Sequence, residues 1–323
     1  MKLPYVKPYR SVDDCLELMQ ERGLVVRDAT HAKRALTRIG YYRLSAFSYP
    51  FREFCQTTDG RLTRCERFKD GATFDQVMSF YLFDKALRME LMDAIERIEI
   101  AIRTALIEVI GAVNPQGHLD PRTYKPRFSE SKDGEETDFA KFVVGLEETF
   151  KGSKEEFAKH FGRNYSGNPP IWVKAGTWQW GHLTHILRFL DEAHKTAIAE
   201  RINPNLPRKT MQSWVSALND VRNDCAHHSR LWNKPLINSP GLPKAKIIPE
   251  LDHLRERRVG DDAPTKRIYS AIVVMIYILK QFYPKTQWQC RLKNRILAER
   301  LPAEIGLATA GFPDGWEMQP IWQ

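Results

Sequence analysis

A chain of 323 residues, 42% hydrophobic and 28% charged, has apolar side chains enough for a sizeable core, which excludes a mostly disordered protein. Its 49 Lys and Arg outnumber 40 Asp and Glu by nine, and residues 1–72 alone hold 14 basic against nine acidic side chains. That excess suits a polyanionic partner, RNA or DNA before membrane, although many proteins as basic bind no nucleic acid.

In chain order, Ser11 is positioned to cap a first helix over VDDCLELMQER, with Gly23 as its stop. Thr30 is positioned to cap a second, HAKRALTRI, ended by Gly40. Aromatics and arginines then interleave from Tyr41 to Arg52, and Pro50 breaks any regular element there. Residues 55–72 read as a polar, basic connector. Phe80, Leu87, Leu91, Ile95, Ile98, Ile102, Leu106 and Val109 recur at spacings of 7, 4, 4, 3, 4, 4 and 3, a helical period running from about Phe74 to Ile110. About 35 such residues make a scaffold helix roughly 52 Å long.

Proline, glycine and charge over 113–137 read as a surface insertion. Helical periodicity returns at 138–150, 154–161, 178–202 and 208–228. A Pro-rich stretch (234–250) and a charged one (251–265) precede a last core helix carrying Ile268, Ile272, Met275, Leu279 and Phe282. The pattern is all-α, with short strands near 41–54 left open. It divides into a basic N-terminal region (1–72), a helical core (73–285) and a C-terminal tail packing on that core (286–323).

The richest apolar run, AIVVMIYIL at 271–279, is too short to span a bilayer, and the first ten residues lack the apolar core of a signal peptide. Five scattered cysteines without C-x-x-C argue against a disulfide framework or a structural zinc site and for a reducing cytoplasm. Phosphate-binding glycine loops and a compact acidic cluster are missing from the sequence. His182, His185 and His194 lack the further ligands a metal needs and read as helix-surface residues. No cofactor is expected.

Chemistry concentrates in SWVSALNDVRNDCAHHSRLWN, residues 213–233. Arg222, Asn223, Asp224, His227, His228, Arg230, Trp232 and Asn233 fall within twelve residues. Histidine exchanges protons near neutrality, and arginine presents a fixed fork of donors to a phosphoryl group. RNA carries its own nucleophile, the 2′-hydroxyl, so a base, an acid and a cation suffice to cleave it without metal. The spacing Arg-x(4–6)-His is weak alone: 28 Arg and nine His give about two chance matches, and Arg188 with His194 also fits. A polar cluster that merely caps a helix end is the competing account.

On the long helix, Asp84 and Arg88, and Glu99 and Arg103, are spaced i,i+4. Either each pair neutralises itself, or Asp84 or Glu99 orients Arg222 or a histidine.

These segments resemble the bacterial abortive-infection proteins of the AbiD and AbiF type, of the HEPN superfamily. Lys7-Pro8 and Gly40-Tyr41-Tyr42-Arg43-Leu44-Ser45 are similar to the family's N-terminal signature, Tyr81 to Arg88 to its F-D-x-x-L-R element, and Ile98 to Arg103 to its I-E-x-x-x-R element. Arg222 to Asn233 resembles the R-N-x-x-A-H-H-x-R-L-W-N block, and Gly311-Phe312-Pro313 with Trp316 and Trp322 its tail. The resemblance implies an HEPN-like helical bundle, metal-independent endoribonuclease activity, and a toxin or phage-defence role. It also implies a homodimer with a composite site, and in some relatives a small non-coding RNA that restrains them. On that reading His227 is the acid/base with His228 as understudy, and Arg222 stabilises the phosphorane. Asn223 then fixes the loop or a histidine tautomer, and Arg230 binds phosphate. Arg38, Tyr41, Tyr42, Arg43 and Arg52 are candidates to stack on and clamp RNA, unless the tyrosines simply fill an internal interface. A non-catalytic RNA-binding protein and a dimeric scaffold remain the alternatives.

Overall fold

The computed structural model describes residues 6, 8–57, 59–131, 134–256 and 264–323; Lys7 of the N-terminal signature lies outside them. Among the described residues the protein is an all-α bundle to which one β-hairpin is added. Helix α1 (Val12–Glu21) begins where Ser11 and Asp14 cap each other reciprocally. The N-cap of α2 (Ala29–Ile39) is Asp28, not Thr30: its carboxylate accepts the His31 N–H at 2.9 Å. A carboxylate both caps and meets the positive end of the helix dipole, which a threonine hydroxyl does not. Gly40, at φ +86°, ends α2 and leads straight into α3 (Tyr41–Ser48).

The expected connector is instead a hairpin. β1 (Arg52–Gln56) pairs antiparallel with β2 (Leu62–Phe68), with Arg52 opposite Phe68 and Cys55 opposite Thr63. Most of its side chains meet solvent, so the alternation that betrays a half-buried strand is missing from the sequence. The same pairing brings Cys55 and Cys65 into a disulfide, which their scattered spacing did not announce, while Cys15, Cys225 and Cys290 are free.

Helix α4 (Phe74–Gly111) starts from a Thr73–Gln76 capping box and runs 38 residues. Its expected stripe is buried from Phe80 to Leu106; Val109 alone stays half-buried. α5 (Pro126–Ser129), α6 (Asp138–Lys151), α7 (Glu156–Asn164), α8 (Ile171–Lys174), α9 (Trp180–Phe189), α10 (Glu192–Ile202) and α11 (Arg208–Ala226) follow. α12 (Ile268–Phe282) is buried from Ile268 to Leu279, and α13 (Trp288–Ala298) leads into short 3-10 turns. Helix α4 packs against α3, α10, α11 and α12. One buried apolar cluster runs from Leu16 to Trp322, so the tail's Trp288, Trp316 and Trp322 join the same core as α1 and α3.

The segment 113–137 is less superficial than its composition implies. His118, Thr123, Tyr124 and Phe128 are buried, and Phe128 stacks on Phe189 at 4.0 Å between ring centres. Aromatic burial outweighs the local breaks. Burial, joined by the positive charge of Lys174, pushes the His118 imidazole down to about 3. The unfolded chain takes that proton near pH 6.5, so the folded state binds fewer protons between the two values. Stability is therefore present above about 6.5 and lost as pH falls below it, by about 1.4 kcal/mol per pH unit. Replacing His118 with Phe should flatten the acid limb of a urea-denaturation series; an unchanged slope would exclude His118 as its source.

Candidate functional site

Helix α11 ends in a Schellman turn. The Ser229 N–H donates to the Asp224 carbonyl at 2.8 Å and the His228 N–H to the Cys225 carbonyl at 3.1 Å, with His227 as C-cap. The left-handed position of this motif normally belongs to glycine. Here His228 occupies it at φ +60°, and Asn233 repeats the conformation at φ +53° five residues on. A side chain there costs about 1–2 kcal/mol. Both His227 and His228 are exposed, and neither side chain bonds to another described residue.

The turn is fixed from beneath by α4. Asp84, fully buried, accepts the Leu231 and Trp232 N–H groups at 3.0 and 2.8 Å on one oxygen and pairs with Arg88 through the other. Arg88 also donates to the Ser229 carbonyl at 3.3 Å. Burial pushes the Asp84 carboxyl up, and the Trp232 N–H, Arg88, the Leu231 N–H and Arg230 draw it back. Trp232 is anchored below the turn: its indole N–H donates to the Ile305 carbonyl at 2.7 Å and its ring meets Phe83 edge-on. Lys234 closes the far side on Asp224 at 2.7 Å. The Asp84–Arg88 pair therefore holds the backbone after the histidines, not Arg222 or an imidazole.

The second pair is bonded within α4. Glu99 bonds Arg103, which also donates to the Trp178 carbonyl at 2.8 Å. Burial pushes the Glu99 carboxyl up, while the positive charges of Arg103 and then Arg222 draw it back, so Glu99 lies within the field of Arg222. Arg222 donates to the Asn223 side-chain oxygen at 3.3 Å. Cys225, two residues after Asn223, points inward, and burial pushes its thiol up to about 12, which makes it packing rather than a nucleophile.

The N-terminal region reaches the same turn through α3. Arg43 donates to the His228 carbonyl, and Arg230 reaches back to the Ala46 carbonyl and to that of Asn233. Arg230 is thus half-buried and tied to backbone. Tyr41, Tyr42 and Arg52 line one cavity of about 800 Å³, together with Arg10 and Arg22, which the sequence reading missed. Nothing in their spacing marks them, because the hairpin and α1 bring them together from separate segments. Arg38 is exposed in the last turn of α2 and is not part of that lining. Tyr41 is packed against the core, as the interface reading required, whereas Tyr42 is 72% exposed.

Of the histidines at 182, 185 and 194, two serve helix starts and one packs on an aromatic ring. The Gln179 N–H donates to His182, and His194 bonds Asp191 at 2.8 Å; His185 stacks on Phe142. Among the described residues no three His, Cys, Asp or Glu cluster to hold a metal ion, and no helix is long and apolar enough to cross a membrane.

A family model for the Abi-like proteins matches residues 34–233. The chain belongs to this family. The match opens inside α2 and closes on Asn233, the second left-handed residue of the turn. Membership in the Abi-like family points to abortive infection, a defence against phage. Neither the curated proteins nor the solved structures contain a match to this chain.

Two substitutions test the turn. Asp84→Ala leaves Arg88 without its buried partner and two N–H groups without an acceptor, and should cost about 3–5 kcal/mol in chemical denaturation. A loss below about 1 kcal/mol would remove the pair from its role as clamp. His228→Gly should act oppositely, raising stability by about 1 kcal/mol through relief of the left-handed strain. A destabilised glycine variant would show that the imidazole contributes packing.

Proposed function

We propose that this Abi-like protein is a metal-independent endoribonuclease of the HEPN kind, acting as a toxin or phage-defence effector. The observation that carries the reading is the helix end itself. Two exposed imidazoles, one in a conformation that costs energy, follow Arg222 and Asn223 on a turn clamped from below. A structural cap alone would favour glycine at His228; a histidine kept there at a cost fits a side chain needed for its chemistry.

In the mechanism, an imidazole takes the proton of the RNA 2′-hydroxyl, whose oxygen attacks the adjacent phosphorus. The bond to the 5′-oxygen breaks, and a second imidazole returns a proton to that leaving oxygen. His227 is assigned the first role, with His228 as its substitute. Arg222 balances the charge that grows on the phosphorane, and Glu99 and Arg103 orient Arg222. One R-x(4–6)-H motif supplies one Arg222 and one His227. A two-fold pairing of α11 ends supplies two of each around one phosphate, so we propose a homodimer with a composite site.

Cleavage of generic RNA should proceed in EDTA, leave 2′,3′-cyclic phosphate and 5′-hydroxyl ends, and fall by about 100-fold or more in Arg222→Ala. Products ending in 3′-hydroxyl, or strict magnesium dependence, would replace this mechanism with metal-assisted hydrolysis. Tight RNA binding without cleavage would instead favour a non-catalytic RNA-binding protein. Mixing Arg222→Ala with wild-type chains adds a test of symmetry: heterodimers of a shared site lose most activity, whereas independent sites lose it only in proportion.

A further inference from the structure

The cavity beside α3 is built unlike a packing defect. Its volume, about 800 Å³, lies in the range of small-molecule sites. Cys15 and Leu36 are buried in its lining and Leu18 is half-buried, which gives it an apolar floor. Tyr41 and Tyr42 stand edge to face on its wall, 5.7 Å between ring centres.

Its charge is uneven. Among the described residues, Arg10, Arg22 and Arg52 line it against one carboxylate, Glu66. Arg22 is held in place by Glu66 and by the Tyr41 hydroxyl, to which it donates at 2.9 Å. The Arg52 guanidinium has no ion pair or hydrogen bond to another described residue, and its Nε is buried without a partner. It is wedged between Tyr49 and Phe68, 6.0 and 5.8 Å from their ring centres. A guanidinium kept partly out of water without an acceptor marks a place for an anion.

Arg52 also lines a smaller, adjoining cavity with Ser45, Tyr49, Arg230 and Lys234. That second cavity leads toward the end of α11. Helix α3 stands between the two functions: Tyr41, Tyr42 and Ser45 line the large cavity, while Arg43 and Ala46 hold the His228 and Arg230 side of the turn.

We propose that this cavity holds one nucleotide, its base against Tyr41, Tyr42 and the apolar floor and its phosphate on Arg52 and Arg22, and that α3 relays its occupancy to the His227–His228 turn. A flat apolar face joined to an anion is the chemistry the lining selects. The nucleotide comes either free from solution or as one unstacked unit of an RNA strand whose next phosphate reaches Arg230 and Lys234. The regulatory meaning of the relay rests on the turn being the RNA-cleaving site; the binding does not.

Equilibrium dialysis of the full chain tests it, with AMP, inorganic phosphate, and a short 2′-O-methyl RNA that lacks the attacking hydroxyl. AMP or the RNA should bind saturably. Binding should weaken about tenfold or more in Arg52→Gln and in Tyr42→Ala, whose exposed position spares the fold, as circular dichroism would verify. Arg222→Ala should bind AMP like wild type. AMP binding as tight as the RNA identifies a free nucleotide; RNA binding alone, with the same dependence on Arg52, identifies a strand. Phosphate binding as well as AMP, or indifference to both substitutions, would overturn the site. Amide exchange over residues 227–232 should slow on occupancy, and unchanged exchange with ligand bound would overturn the relay. Should wild type bind AMP yet leave RNA intact, only the cleavage reading falls.

Discussion

One buried carboxylate organises the turn at the end of α11. Asp84 sits on the core face of α4 and turns both its oxygens to tasks outside that helix's own ladder: two consecutive backbone N–H groups of the turn on one side, Arg88 on the other. A charge in that position is tolerated only with all its partners present, so the turn and the helix define each other. Arg88 then reaches Ser229, so three of the turn's four residues after His228 are bonded to α4 through their backbone. Remove the carboxylate and both the core and the turn lose their reference point.

The cost of that rigidity is visible in the backbone. Two residues with side chains, His228 and Asn233, occupy the left-handed region at either end of a six-residue stretch. Strain of this kind persists only where surrounding contacts over-determine the chain, and here they do: Asp84 and Arg88 below, Arg43 beside, Lys234 and Trp232 beyond. Rigid support beneath exposed imidazoles is the arrangement a reaction site needs, because misplacement of a proton carrier is costly.

The sequence made the helices legible where one face is apolar. The stripe from Phe80 to Leu106 repeats too regularly to mean anything else, and α12 follows the same rule. It was silent where structure depends on pairing between distant segments. The hairpin is wet on both faces, so β1 and β2 carry no alternation, and the Cys55–Cys65 bond depends on that invisible register. At the site, the cluster from Arg222 to Asn233 was legible because its residues are neighbours. The division of labour between the two acid–base pairs on α4 was not. Asp84 and Glu99 have the same i,i+4 partner spacing, and only the packing of α11 against α4 sends Asp84 to the backbone of the turn while Glu99 stays on Arg103. Arg22 and Arg10 escaped notice for the same reason.

The anchoring of Trp232 sets an order of events during synthesis. Its indole bonds a carbonyl 73 residues downstream and its ring packs on Phe312. The ribosome therefore releases the histidine pair well before the segment that seats the turn has been made. Until those residues arrive, Trp232 has no floor, and a nascent chain carries the motif without its finished geometry. The finished geometry of the turn is thus deferred, by topology alone, until the segment around Ile305 and Phe312 has been made.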